Sequence, residues 1–193
     1  MTMNIAFECN LVQAPTALTI DYRLTNRSAG DAGVFNLIAT TRPDGTLEFS
    51  AATLYIEVVD GVLLTGKRAL TIPPDLQMAA YVPPYASLLA RGQSLTEHVS
   101  IPIPVKVMQP YRRALLRGQV LADMPATVTS LVFEVGVFPV DDKCRLVAEN
   151  PAFPTVLNAH PPNPAVARQQ ILSKSFPLHQ PVLVLDYRAV PWP

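Results

Sequence analysis

Residues 53–65 read TLYIEVVDGVLLT, two apolar, β-prone runs separated by the dipeptide Asp60-Gly61. A two-residue Asp-Gly loop suits a type I′ turn, whose positive φ angles continue the twist of the flanking strands. The stretch predicts a hairpin of residues 53–59 and 62–65. Period two, the mark of half-buried strands, runs outward from it in both directions. Upstream, Met3, Ile5, Phe7, Cys9 and Leu11 share one face of a first segment, with Asn4, Ala6, Glu8 and Asn10 on the other. In a second segment Leu18, Ile20, Tyr22 and Leu24 alternate with Thr19, Asp21, Arg23 and Thr25, before a loop over residues 26–30. A third strand over residues 34–40 ends at Pro43-Asp44-Gly45. There proline presets φ, aspartate bonds its own backbone and glycine takes positive φ.

Downstream, Pro73-Pro74 and Pro83-Pro84 bracket a connection. Residues 94–107 then place Leu95, Val99, Ile101, Ile103, Val105 and Val107 on one face. Pro102 and Pro104 lie two apart, so their missing N–H donors fall on the same side of the strand, which only an edge tolerates. The intact side is expected to pair with residues 127–138. That stretch is apolar on both faces (Leu131, Phe133, Val135 and Val137 against Val132 and Phe138), as suits the middle of a sheet. Asp141-Asp142 predicts a second hairpin leading into residues 143–148. Residues 150–164 carry five prolines and read as an ordered surface loop or polyproline II segment. Residues 165–173 fit a short helix or a strand, and residues 181–188 close the chain as a strand.

The chain has 193 residues, 49% apolar and 16% charged, with fifteen basic and fifteen acidic side chains. This composition excludes disorder, and zero net charge gives no whole-molecule attraction for nucleic acid or anionic lipid. Twenty prolines, against a usual share of about 5%, exclude a helical bundle. One domain spanning residues 1–193 is expected, all-β, an antiparallel sandwich of about nine or ten short strands with proline-rich loops. A charged, apolar leader is missing from the first twelve residues, and no apolar run reaches membrane length. With only Cys9 and Cys144 and no CxxC pair, the expected setting is the reducing cytoplasm.

Two pieces, LTIDYRLTN at residues 18–26 and LLARGQSL at residues 88–95, resemble strands of bacterial immunoglobulin-like modules. In such modules a y-x-l-x-N strand and an l-x-x-G-x-s lead into a later strand recur. Arg91 stands where the second pattern usually has proline. The resemblance implies an immunoglobulin-like sandwich with a tendency towards binding roles.

Candidate chemistry is sparse. Cys144 could act as a thiol nucleophile with His98, His160 or His179 as base. Its strand face, shared with Leu146 and Ala148, instead predicts a buried, inert thiol, and Cys9 beside Ile5 and Phe7 reads the same way. The histidines lack metal spacing, no G-x-S-x-G elbow is present and no glycine-rich phosphate loop occurs, so no metal or cofactor is expected. Asp141 and Asp142 read as turn formers. Arg112, Arg113 and Arg117 form a basic cluster beside Tyr111. Tyr81 and Tyr85 flank Val82-Pro83-Pro84, and rigid tyrosine-bearing loops are good binding material. Tyr81, Tyr85, Tyr111, Arg112 and Arg113 are therefore the expected binding residues of a non-catalytic module that contacts a protein partner or itself, the latter as a homodimer. The mean hydropathy of +0.24 suits a covered apolar surface. The alternatives are a thiol hydrolase using Cys144 and a sandwich that binds a sugar or other small ligand.

Overall fold

The computed structural model describes residues 3–42, 44–72, 76, 83–111, 120–148 and 153–190. Strands β1 (Ile5–Ala14) and β2 (Ala17–Asn26) form a hairpin in register from Ile5↔Asn26 to Ala14↔Ala17. Leu18, Ile20, Tyr22 and Leu24 are buried, while Asp21 and Arg23 stay exposed, as the alternation requires. The outer side of β2 takes β8 (Ser94–Pro102), completing a three-stranded sheet of order β1-β2-β8.

The second, larger sheet comprises β3 (Ala32–Thr41), β4 (Leu47–Ser50), β5 (Tyr55–Val59), β6 (Val62–Lys67), β7 (Tyr85–Leu89), β9 (Val105–Lys106), β10 (Val120–Pro139), β11 (Arg145–Ala148), β12 (Leu157–His160) and β13 (Gln170–Val190). Its main path is β11-β12-β7-β3-β10-β13-β9, with β4 on β3 and the β5-β6 hairpin joined to β10. The Asp60-Gly61 turn forms as its residues dictate: Val59 pairs with Val62, and φ is 50° at Asp60 and 78° at Gly61. The turn after β3 also forms, with Gly45 at φ 83° and Asp44 Oδ1 accepting from the Thr46 amide; Pro43 lies outside the described residues. β10 is the central strand, with β13 along one side and β6, then β3, along the other.

Two cores result. The larger lies between the sheets, with Ile20, Tyr22 and Val99 from one and Val34, Leu63, Leu131, Phe133 and Val135 from the other. On the far face of the large sheet, helix α1 (Pro162–Ala167) covers a smaller core of Phe35, Ala86, Phe138, Cys144, Ala159 and Ala165. The described residues are thus all-β in class, arranged in two sheets.

Several expectations need correction. β8 is an edge, but its partner is β2 rather than residues 127–138, because the apolar face of β8 matches that of β2 and closes the small sheet. Ile103 donates to Thr16 O at 2.9 Å, so the odd-numbered amides of β8 face β2 and Pro102 lacks its donor on the open side. Pro104 is not part of that strand: the chain breaks at Ile103-Pro104, and Val105–Lys106 join β13 instead. Pairing is not wholly antiparallel. β6 with β10, and β9 with β13, run parallel, and the long intervening segments supply the crossovers that parallel pairs need. Asp141 and Cys144 close a tight turn, yet β11 pairs with β12 and not back onto β10. The proline-rich stretch is not only loop. Residues 157–160 form β12, and Pro162 begins α1, where proline suits the first helical turn because its missing N–H has no intrahelical role. The undecided residues 165–173 divide between the end of α1 and the start of β13.

Candidate functional site

Lys67 closes β6 on the parity of Leu63 and Thr65, so its side chain points between the sheets and is fully buried. Its Nζ donates to Glu97 Oε2 at 2.5 Å and to the carbonyl oxygen of Ala51. Glu97 sits on β8 among the inward positions Leu95, Val99 and Ile101, opposite Tyr22 in the β2–β8 register. The Tyr22 hydroxyl donates to Glu97 Oε2, and the Tyr22 ring lies 5.7 Å from Lys67 Nζ. Asn36 completes the cluster, its Nδ2 donating to Glu97 Oε1 at 2.7 Å. It is the extra residue of a bulge in β3, between the pairs Phe35↔Ala86 and Leu37↔Tyr85. Bulges commonly re-aim a side chain.

One carboxylate therefore gathers an amine, an amide and a phenol between the sheets. Tyr22 packs on Phe133 with ring centroids 5.1 Å apart, which walls the cluster with apolar surface. Burial pulls the Lys67 ammonium below its ordinary value, opposed by Glu97. Burial, then the neighbouring carboxylate, raises the Tyr22 hydroxyl. Asn36 Oδ1 and Thr65 Oγ1 are buried without a hydrogen-bond partner among the described residues. No reading of the sequence singled out this cluster.

The outer edge of β1 is a second feature. Arg27 donates to Asn4 O at 2.8 Å, so even-numbered residues of β1 direct their backbone groups to β2. The N–H and C=O groups of Ile5, Phe7, Cys9, Leu11 and Gln13 point outward, and β1 ends the sheet among the described residues. At the far end of the strand, Gln13 clasps β13: its Oε1 accepts from the amides of His179 and Gln180, and its Nε2 donates to Gln180 O. A groove of about 370 Å³ opens there, lined by Leu11, Val12, Gln13, Phe176, Pro177 and His179.

Of the expected binding residues, Tyr85 and Tyr111 fall among the described residues. Tyr85 lies in β7, half-buried, with its ring edge-on to Phe49 at 4.7 Å. Tyr111 is buried, at 6% exposure. Tyr81, Arg112 and Arg113 lie outside the described residues, as does Arg117. Cys9 and Cys144 are free thiols, as expected; Cys144 is buried, but Cys9 is only half-buried because β1 is an edge. Burial pushes the Cys9 thiol up to about 11 and raises Cys144 as well, the opposite of what activates a thiol nucleophile. Cys144 Sγ contacts Pro161 O at 3.8 Å, whereas His98 is exposed and paired with Asp21 Oδ1 at 2.7 Å. Among the described residues no group of three or more His, Cys, Asp or Glu side chains is placed to hold a metal, and no helix is long and apolar enough to cross a membrane.

Comparison of the chain with protein-family models, curated proteins and solved structures returns no match.

Proposed function

We propose that this chain is a non-catalytic, immunoglobulin-like β-sandwich that acts as a protein-binding module and assembles with itself by strand addition at the outer edge of β1. The contrast between the two edges of the small sheet carries this reading. The open side of β8 loses a donor at Pro102, one of the devices by which proteins blunt an exposed edge. β1 has no such device: IAFECNLVQA contains neither proline, lysine nor arginine, and among the described residues its outward groups have no backbone partner. An unprotected ten-residue edge is a template for β-augmentation, in which main-chain bonds give affinity and alternate side chains give specificity. Pairing of β1 with β1 of a second copy about a two-fold axis joins the small sheets into one continuous six-stranded sheet, a closed and self-complementary arrangement. The exposed Val12, in the adjoining groove, supplies apolar surface for such a contact. The immunoglobulin-like character rests on residues 18–26 and 88–95, which supply β2 and lead into β8. Two free thiols support a cytoplasmic setting. Amide exchange measured at rising protein concentration tests the reading. Protection should grow at Ile5, Phe7, Cys9 and Leu11; concentration-independent exchange at these four amides contradicts it.

A further inference from the structure

We propose that Lys67 and Asn36 become joined by an intramolecular isopeptide bond, formed by the folded protein itself with Glu97 as the proton carrier. The observation is the arrangement around one carboxylate: Lys67 Nζ on Oε2 at 2.5 Å and Asn36 Nδ2 on Oε1 at 2.7 Å, with the Lys67 side chain fully buried and that of Glu97 11% exposed. Holding two reactants in one geometry turns a slow bimolecular aminolysis into an intramolecular step. A general acid–base group that touches both the attacking amine and the departing nitrogen is the remaining requirement.

The step balances without a co-reactant. The Lys67 amine attacks Cγ of Asn36, and a bond forms between Nζ and Cγ. Glu97 takes the proton released by Nζ at one oxygen and delivers a proton to Nδ2 from the other. The Cγ–Nδ2 bond breaks, ammonia leaves and Glu97 ends in its starting state. Burial favours the neutral, nucleophilic form of Lys67. The wall formed by Tyr22 and Phe133 favours aminolysis over hydrolysis, and the Tyr22 hydroxyl orients the carboxylate. The strands so joined have a structural reason to be linked. β3 and β6 meet the same side of β10 in succession but do not pair with each other. The bond ties them side chain to side chain where backbone pairing is lacking.

Intact-mass spectrometry of the purified full chain, incubated folded, tests the proposal. The parent should be lighter than its sequence mass by about 17 Da, one ammonia. Lys67→Arg, Asn36→Ala and Glu97→Gln should each show the full sequence mass. Cleavage after Glu48 and Glu57 separates the two residues, so the parent should also yield a branched fragment carrying both Asn36 and Lys67. Glu97→Gln keeps the size of the side chain, and its circular dichroism confirms that the fold survives. A parent at its full sequence mass overturns the proposal. So does a mass deficit without the branched fragment, or a deficit that persists in Lys67→Arg.

Discussion

Gly66 precedes Lys67 and pairs with Glu134 across the parallel β6–β10 ladder. A Cβ added at Gly66 would fall inside normal contact distance of the Glu134 carbonyl oxygen, a backbone atom that cannot step aside. Gly66→Ala should therefore destabilise by about 1–3 kcal/mol, the usual range for overpacking. Urea denaturation checks this as a lower midpoint with unchanged slope. Asp141 gives a pH-dependent prediction. Arg168 grips it with Nη1 on Oδ2 at 2.7 Å and Nη2 on Oδ1 at 3.0 Å, which holds the carboxyl at about 2, below its unfolded value of about 3.9. A depressed carboxylate stabilises the fold fully above the unfolded value, and that contribution is lost as pH falls from about 4 through about 2. Because the pair is partly exposed, the effect should be small and weakened by salt. Urea midpoints taken across that window should fall more steeply for the parent than for Asp141→Asn. The buried cluster was legible only in part. Glu97 shares strand parity with Leu95 and Val99, and Lys67 shares it with Leu63, so a charged residue on an apolar face was visible in each strand. What brings them together is the approach of two sheets through residues far apart in the chain, which periodicity does not encode.

At the scale of elements, local signals translated directly and partner choice did not. The Asp60-Gly61 hairpin depends on two residues and their φ angles, so its sequence suffices. β11 and β12 pair across an intervening segment, and nothing in the composition of residues 145–148 distinguishes that partner from β10. The same holds for β8, whose edge character was readable from Pro102 but whose neighbour was not. Pro102→Val restores the missing donor on the open side of β8 without disturbing the core, since Pro102 is exposed and its core-facing neighbour Ile101 is unchanged. The variant should self-associate more than the parent in light scattering, with an unaltered thermal midpoint. Pro104→Val alone should leave association unchanged, because Pro104 lies outside the strand.

At the scale of the molecule, the two sheets close over one apolar core, and the polar cluster interrupts it where β3, β6 and β8 meet. The all-β class was evident from alternation and proline content. The parallel pairings were not, because they arise from long crossovers, β6 reaching β10 by way of β7, β8 and β9, and β9 reaching β13 by way of β10, β11, β12 and α1. The central functional claim concerns β1, whose outward backbone groups offer a pairing edge to a second copy. Asn10 and Val12 are exposed on the outer face of that strand. Lysines placed there oppose edge pairing by charge while leaving the inward residues Cys9 and Leu11 untouched. Sedimentation velocity of the parent and of the Asn10→Lys, Val12→Lys double variant, each over a micromolar concentration series, tests the claim most directly. The account predicts a dimer for the parent and a monomer of unchanged thermal stability for the variant. A parent that stays monomeric throughout, or a variant that associates as the parent does, would contradict it.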